Sequence, residues 1–184
     1  MSGGHYHGDV KFSQTDTREL HDSLRVSGAL AAMAGEILRL LAPQKHLPRL
    51  VLGVQQGGCP LAEEIHRRLT QSGENFYLGA LDCSFHRDDV AMRLPTPRET
   101  ILPVGIDDTA VVIVDDVFDT GRTLRAALDT LHEYGRPAVI RFAALVDRRS
   151  ALLPLRADVA GFKIPAAEYP GRIIAGVRGI FWEK

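Results

Sequence analysis

Cysteine is scarce in this sequence, with Cys59 and Cys83 the only two among 184 residues. Neither belongs to a CxxC pair or stands at Cys/His ligand spacing, which argues against a disulfide scaffold or structural zinc site and for reduced thiols. Long hydrophobic runs are also lacking: none approaches the roughly 18 residues that span a bilayer. The first ten residues, MSGGHYHGDV, have no signal-peptide hydrophobic region. Together these absences predict a cytoplasmic chain with no membrane partner. Charge of one sign is missing as well, since 22 Lys+Arg face 23 Asp+Glu for a net charge of -1. Bulk electrostatics therefore argue against a strongly basic nucleic-acid binder or an acidic tail. What is present is a 45% hydrophobic content, enough for one domain with a sizeable core and too little chain for two generous ones.

Residues 1–17 are rich in Gly, His and polar groups and read as a flexible N-terminal arm, with His5 and His7 solvated in it. Asp22 or Ser23 is placed to cap a helix whose apolar positions Val26, Leu30, Met33, Ile37 and Leu41 recur at helical spacing and stop before Pro43. The run RLVLGV at 49–54 then predicts a strand, QQGGCP a Gly-rich turn, and Leu61, Ile65 and Leu69 the buried side of a second helix. A further strand is predicted at 75–81. The stretch 82–108, with charges, prolines and little periodicity, has the length of a functional flap. Beyond it come a strand at 111–114, a helix at 124–134 ended by Gly135 and Pro137, a strand at 138–146, and apolar pieces at 159–164 and 173–177. Strands alternating with helices imply a mostly parallel α/β sheet with helices on both faces. Ligands of such sheets bind beyond the carboxyl ends of the strands, where both Gly-rich turns fall.

The most informative stretch is VVIVDDVFDTGRT at 111–123. Adjacent carboxylates, Asp115 and Asp116, follow a buried apolar strand. They repel one another and need hydroxyls or a divalent cation as partners. Thr120, Gly121, Arg122 and Thr123 then open a helix, where hydroxyls and backbone N–H groups converge at the positive end of a dipole. Gly121 lets the backbone approach an anion closely. A phosphate one sugar-length from vicinal hydroxyls satisfies both halves, and ribose 5-phosphate has that shape.

These residues resemble the 5-phosphoribosyl-1-pyrophosphate (PRPP) signature of type I phosphoribosyltransferases, and within them the pyrimidine operon regulator/uracil phosphoribosyltransferase family. The resemblance extends through LVLGVQQGGCPLAEEIHRRL (50–69), LDCSFHRDD (81–89), DDVFDTGRTLRAALD (115–129) and YGRPAVIRFAALVDRRSALLPLRADVAG (134–161). It implies a parallel-sheet core, a flap at about 82–108 and a small C-terminal hood at about 155–184. Asp115 and Asp116 would take the ribose hydroxyls and the Mg²⁺ that accompanies PRPP. Thr120 to Thr123 would hold the 5-phosphate; Gln55, Gln56, Gly57 and Gly58 would form the pyrophosphate loop. Arg87 would meet the departing pyrophosphate, and Asp147 and Val159 would belong to the substrate site. The implied assembly is a homodimer or larger.

Several residues depart from the family pattern. Asp119 stands where the pyrimidine family usually carries Tyr and the hypoxanthine and xanthine enzymes carry Asp, near the attacking purine nitrogen. GFKIP (161–165) also resembles the purine enzymes, whereas Asp147 replaces their Lys. Gln55 and Gln56 replace the usual Thr and Arg of the pyrophosphate loop. The first helix reads SGALAAMAGEI (27–37), and SALLP (150–154) carries no basic residue, so the cationic contacts that RNA requires are missing and specific RNA is not expected. The sequence thus favours uracil narrowly, with a purine base or a non-catalytic nucleotide-sensing RNA-binding regulator as alternatives.

Overall fold

The computed structural model describes residues 17–55, 57–84 and 99–184. Its core is a parallel sheet built from five runs of sequence: β2 (Arg49–Val54), β3 (Tyr77–Leu81), β4 (Ala110–Phe118), β5 (Val139–Asp147) and β6 (Val159–Lys163). They lie in the order β3-β2-β4-β5-β6, every neighbouring pair parallel. The apolar run of β2 and the first half of β4 are buried throughout, as strands covered on both faces must be.

Side chains alternate between those faces. Val51, Val112 and Val114 join one core cluster with Val26, Leu30 and Ile37 of α1 (Ser23–Leu40) and Leu61, Ile65 and Leu69 of α2 (Gly58–Gln71). Leu50, Leu52, Val111 and Ile113 join another cluster with Leu124, Ala127 and Leu131 of α3 (Arg122–Tyr134). Each fully buried Leu or Ile contributes about 1.5–3 kcal/mol of transfer free energy, which ties both helical layers to the sheet. Asp22 caps α1 as expected, its carboxylate accepting the Arg25 N–H at 2.9 Å.

A second sheet is antiparallel and ordered β1-β8-β7, from β1 (Thr17–Asp22), β7 (Arg172–Gly176) and β8 (Gly179–Glu183). The resemblance drew the hood from the C-terminal segment; that segment supplies β7 and β8, and residues just before α1 supply the third strand. The piece at 159–163 belongs instead to the main sheet, as its edge strand β6. Trp182, read as a packing residue, does pack: its Nε1–H donates to the Pro170 carbonyl at 2.8 Å, and its ring meets Tyr169 edge-on.

Another difference from the sequence reading positions the site. The acid pair does not follow β4 but lies within it, because β5 accompanies β4 to the pairing Phe118↔Asp147. On the other side, β2 stops pairing at Gly53↔Val114. From Asp115 onward β4 has therefore lost one neighbour, and a crevice opens along that edge. From β2 the chain passes through α2 to β3 on one side, and from β4 through α3 to β5 on the other. The crevice is thus the switch point of the sheet, where ligands of open α/β folds bind.

Candidate active site

The crevice is a cleft of about 650 Å³ whose walls come from separate parts of the chain. Asp115, Asp116 and Asp119 line it from β4 and the turn after it, and Thr120, Gly121, Arg122 and Thr123 from the start of α3. Gln55, Gly57 and Ser84 approach from the ends of β2 and β3, and Arg172 and Ile173 from β7. The fold therefore brings Gln55, Gly57, the three acids and the Thr120–Thr123 turn around one space.

Backbone geometry fixes the acids. Asp115, only 5% exposed, accepts the Asp116 N–H on Oδ1 at 3.0 Å, and Asp116 accepts the Val117 N–H on Oδ1 at 2.8 Å. Each carboxylate is thereby turned by the peptide that follows it. Across from them, the turn between β2 and α2 passes so close that a Cβ on Gly57 would lie 2.2 Å from Asp116 Oδ2. A Cβ on Gly58 would lie 2.1 Å from the Val114 carbonyl oxygen. The Gly pair is required by this approach of loop to strand. Gly58 is buried at the start of α2, so Gln55 and Gly57 face the cleft while Gly58 does not. Gln55 donates through Nε2 to the Glu99 carbonyl at 3.2 Å and through its backbone N–H to the Leu81 carbonyl at 3.0 Å.

The turn at Thr120–Thr123 leads straight into α3. Gly121 adopts φ 87°, a left-handed conformation that residues with a Cβ rarely take, and precedes the first residue of α3. The Arg122 N–H reaches Thr120 Oγ1 at 3.4 Å, and the helix begins with the Arg125 N–H donating to the Gly121 carbonyl at 3.0 Å. Unpaired N–H groups at a helix start, with two threonine hydroxyls beside them, make an anion cradle.

Two expected substrate residues lie elsewhere. Asp147 and Val159 line a different cavity of about 540 Å³, between the ends of β5 and β6 and the Ala29, Ala32, Met33 and Glu36 face of α1. The reason is packing: α1 lies over β6 and the end of β5, and Val159 is buried in that core. Asp147 is held towards its own turn, accepting the Arg149 N–H at 2.9 Å with Arg149 Nε 3.4 Å away. Arg87 and Gln56 fall outside the described residues, as do His5, His7 and residues 85–98 of the expected flap. The sequence reading missed Arg172 and Ile173, which reach the cleft from a strand some fifty residues along the chain from the phosphate turn; no local motif marks them.

Adjacent carboxylates and a glycine-containing helix start thus share one cleft at the switch point of a parallel α/β sheet. The chain belongs to the phosphoribosyl transferase domain family, which matches residues 16–174. It is similar to proteins named Bifunctional protein PyrR. With that of Mycolicibacterium paratuberculosis it shares 41% identity over 160 residues, covering 84% of each chain. With that of Geobacter sp. it shares 40% over 165 residues, covering 87% of this chain and 91% of the relative. Among solved structures, a Trypanosoma cruzi hypoxanthine phosphoribosyltransferase with ternary substrates superposes with a TM-score of 0.73 at 18% identity, over 92% of this chain and 96% of that one. A Bacillus anthracis hypoxanthine-guanine phosphoribosyltransferase gives 0.63 at 20%, over 80% and 82%. These two structural likenesses establish the fold. No helix among the described residues is long and apolar enough to cross a membrane.

Proposed function

We propose that the chain transfers the phosphoribosyl group of PRPP to a nucleobase, with uracil as the preferred base, releasing pyrophosphate. One observation carries this reading: Asp115 and Asp116 face the same cleft as the Thr120–Thr123 cradle, so a single ribose phosphate spans them. The new bond joins a ring nitrogen of the base to ribose C1. The bond from C1 to the pyrophosphate oxygen breaks, and its electron pair leaves with pyrophosphate. The transition state has oxocarbenium character, so positioning and exclusion of water supply much of the rate.

Asp115 and Asp116 would orient the ribose through its hydroxyls, and the cradle would fix the 5-phosphate. Asp119 would accept the proton that the ring nitrogen loses. Arg172, on the hood side of the cleft, is placed to offset negative charge of the ligand. Among the described residues no group of three or more His, Cys, Asp or Glu is arranged to hold a metal unaided. The adjacent carboxylates do fit a hard cation that draws its remaining oxygens from substrate and water. Mg²⁺ bound with PRPP at Asp115 and Asp116 would neutralise charge developing on the leaving group.

A second reading, transfer to a 6-oxopurine, is favoured by Asp119. Sequence-specific RNA binding is no part of the proposal. The cavity beside α1 carries Arg149, Arg156 and Lys163 against Glu36, Asp147 and Asp158, a balanced set rather than the cationic surface that RNA needs. The deciding measurement is steady-state turnover with PRPP, Mg²⁺ and each of uracil, hypoxanthine, guanine and xanthine. Greatest kcat/KM with uracil is the expected result. Preference for a purine transfers the assignment to the second reading, and no turnover with any of them removes both.

A further inference from the structure

The turn after β5 folds back along the turn after β4. The Arg148 N–H donates to the Phe118 carbonyl at 2.8 Å, and the Leu152 N–H donates to the Thr120 carbonyl at 3.0 Å. Between these two bonds Ser150 stands opposite Asp119, and its Oγ–H donates to Asp119 Oδ1. The path of the turn is held from several directions. Arg149 is one of only two non-glycine residues with positive φ among those described, at 53°, and its N–H is held by Asp147 Oδ1 at 2.9 Å. A left-handed residue of this kind costs roughly 1 kcal/mol or more and persists where its surroundings over-determine it. Arg148 is 3% exposed and donates through Nη2 to the Tyr169 and Gly171 carbonyls at 2.7 and 3.2 Å, anchoring the same turn to the entrance of β7. Leu153, further along, lies where a Cβ added to Gly121 of the cradle would meet it at 3.7 Å.

We propose that Ser150 is a positioning residue for Asp119, holding one carboxylate oxygen so that the other faces the attacking ring nitrogen. Asp119 lines the cleft, and Ser150 is not among the residues that line it. Its hydroxyl therefore acts through the carboxylate rather than on substrate. In the step that Asp119 serves, the proton leaves the ring nitrogen for Asp119 Oδ2 as the nitrogen–C1 bond forms. Oδ1 stays occupied by the serine O–H, which removes the rotamers in which both oxygens turn to solvent. The strained Arg149 and the buried Arg148 acquire a purpose in this arrangement, because they set the height at which Ser150 meets Asp119. The proposal rests on the phosphoribosyl-transfer reading above.

The test is the steady-state kinetics of Ser150→Ala and Ser150→Thr, each made in the parent chain and in Asp119→Asn. Ser150→Ala is expected to lower kcat roughly tenfold, as a slightly misdirected reacting group does, with KM for PRPP within about twofold of the parent. Ser150→Thr, which keeps the hydroxyl, restores most of the loss. In the Asp119→Asn background Ser150→Ala adds nothing, since the two residues act as one unit. An equal kcat loss in both backgrounds, an unchanged kcat in the parent, or a KM that rises as kcat falls overturns the proposal. If Ser150→Ala lowers the melting temperature, Ser150→Cys, with its similar shape and weak donor, takes its place on the same criteria. Failure of the phosphoribosyl-transfer reading is recognised separately, because the unsubstituted chain then turns over none of the bases.

Discussion

Two cavities of similar size, about 650 Å³ at the β2/β4 switch point and about 540 Å³ between α1 and β6, are both lined with charge. They differ in what their charges face. In the second, Asp147 lies against Arg149 at 3.4 Å and Asp158 against Arg141 at 3.7 Å, so its acids have cations of this chain as neighbours. In the first, Asp116 is oriented by a backbone N–H and Asp119 by a serine hydroxyl, groups that aim a carboxylate without cancelling its charge. Carboxylates aimed by neutral donors, in a space lined also by Arg122 and Arg172, suit an ionic ligand, whereas acids set against nearby cations suit holding the fold.

The largest expected effect breaks this contrast directly. Asp115→Asn together with Asp116→Asn should lower kcat/KM for PRPP by roughly a thousandfold or more, the scale of losing preorganised charge at a reacting centre, with the melting temperature little changed. Asp147→Asn in the other cavity should leave turnover within about threefold of the parent. Comparable losses at both places would show that the cavities are not functionally distinct.

Asp119→Asn comes next. Removing a proton acceptor should cost roughly a hundredfold in kcat and leave KM for PRPP nearly unchanged. Equal damage to both parameters would mark Asp119 as structural. Gly57→Ala follows, with a loss on the order of thirtyfold in kcat/KM, because the new Cβ would stand 2.2 Å from Asp116 Oδ2 and must displace that carboxylate. Gly105→Ala, where an added Cβ meets nothing within 4 Å, is the matching control.

Local chemistry explains which parts of this arrangement can be read from sequence. The acid pair and phosphate cradle are contiguous in the chain, so spacing alone brings them together, whereas Gly57 joins them only because β2 pairs with β4; helical or buried-strand periodicity exposes α1, α2, α3, β2 and β5. The strand β1 leaves no such trace: TRELHD is polar apart from Leu20, and only its pairing with β8 makes it a strand. The extension of β4 through the acids is equally silent, since hydrogen bonding to β5 fixes it and apolar patterning does not. Arg172, Ile173 and Ser150 reach the site only through tertiary folding. Asp147 shows the converse: it matches a family position in sequence, and the structure places it on the wall of the cavity beside α1.

The smallest effect concerns the seam between the hood sheet and the second cavity. His21 of β1 stacks on Phe162 of β6, with ring centroids 4.2 Å apart and 23° between planes, and its Nδ1 is buried without a hydrogen-bond partner. Burial pulls the His21 pKa below its ordinary value, Arg25 adds to the pull, and Asp22 opposes it. Because the folded state binds this proton less readily than the unfolded state, the contribution of His21 is fully present above the unfolded value of about 6.5 and is lost as pH falls through the lowered folded value. Acidification from about pH 7.5 to about pH 5.5 should therefore weaken β1 first, seen as reduced protection of its amides after correction for intrinsic exchange. His21→Phe should abolish the extra pH sensitivity of those amides while leaving the β2 and β4 amides unchanged. If parent and variant lose protection equally, the seam is held by the β1–β8 ladder alone and the histidine has no part in it.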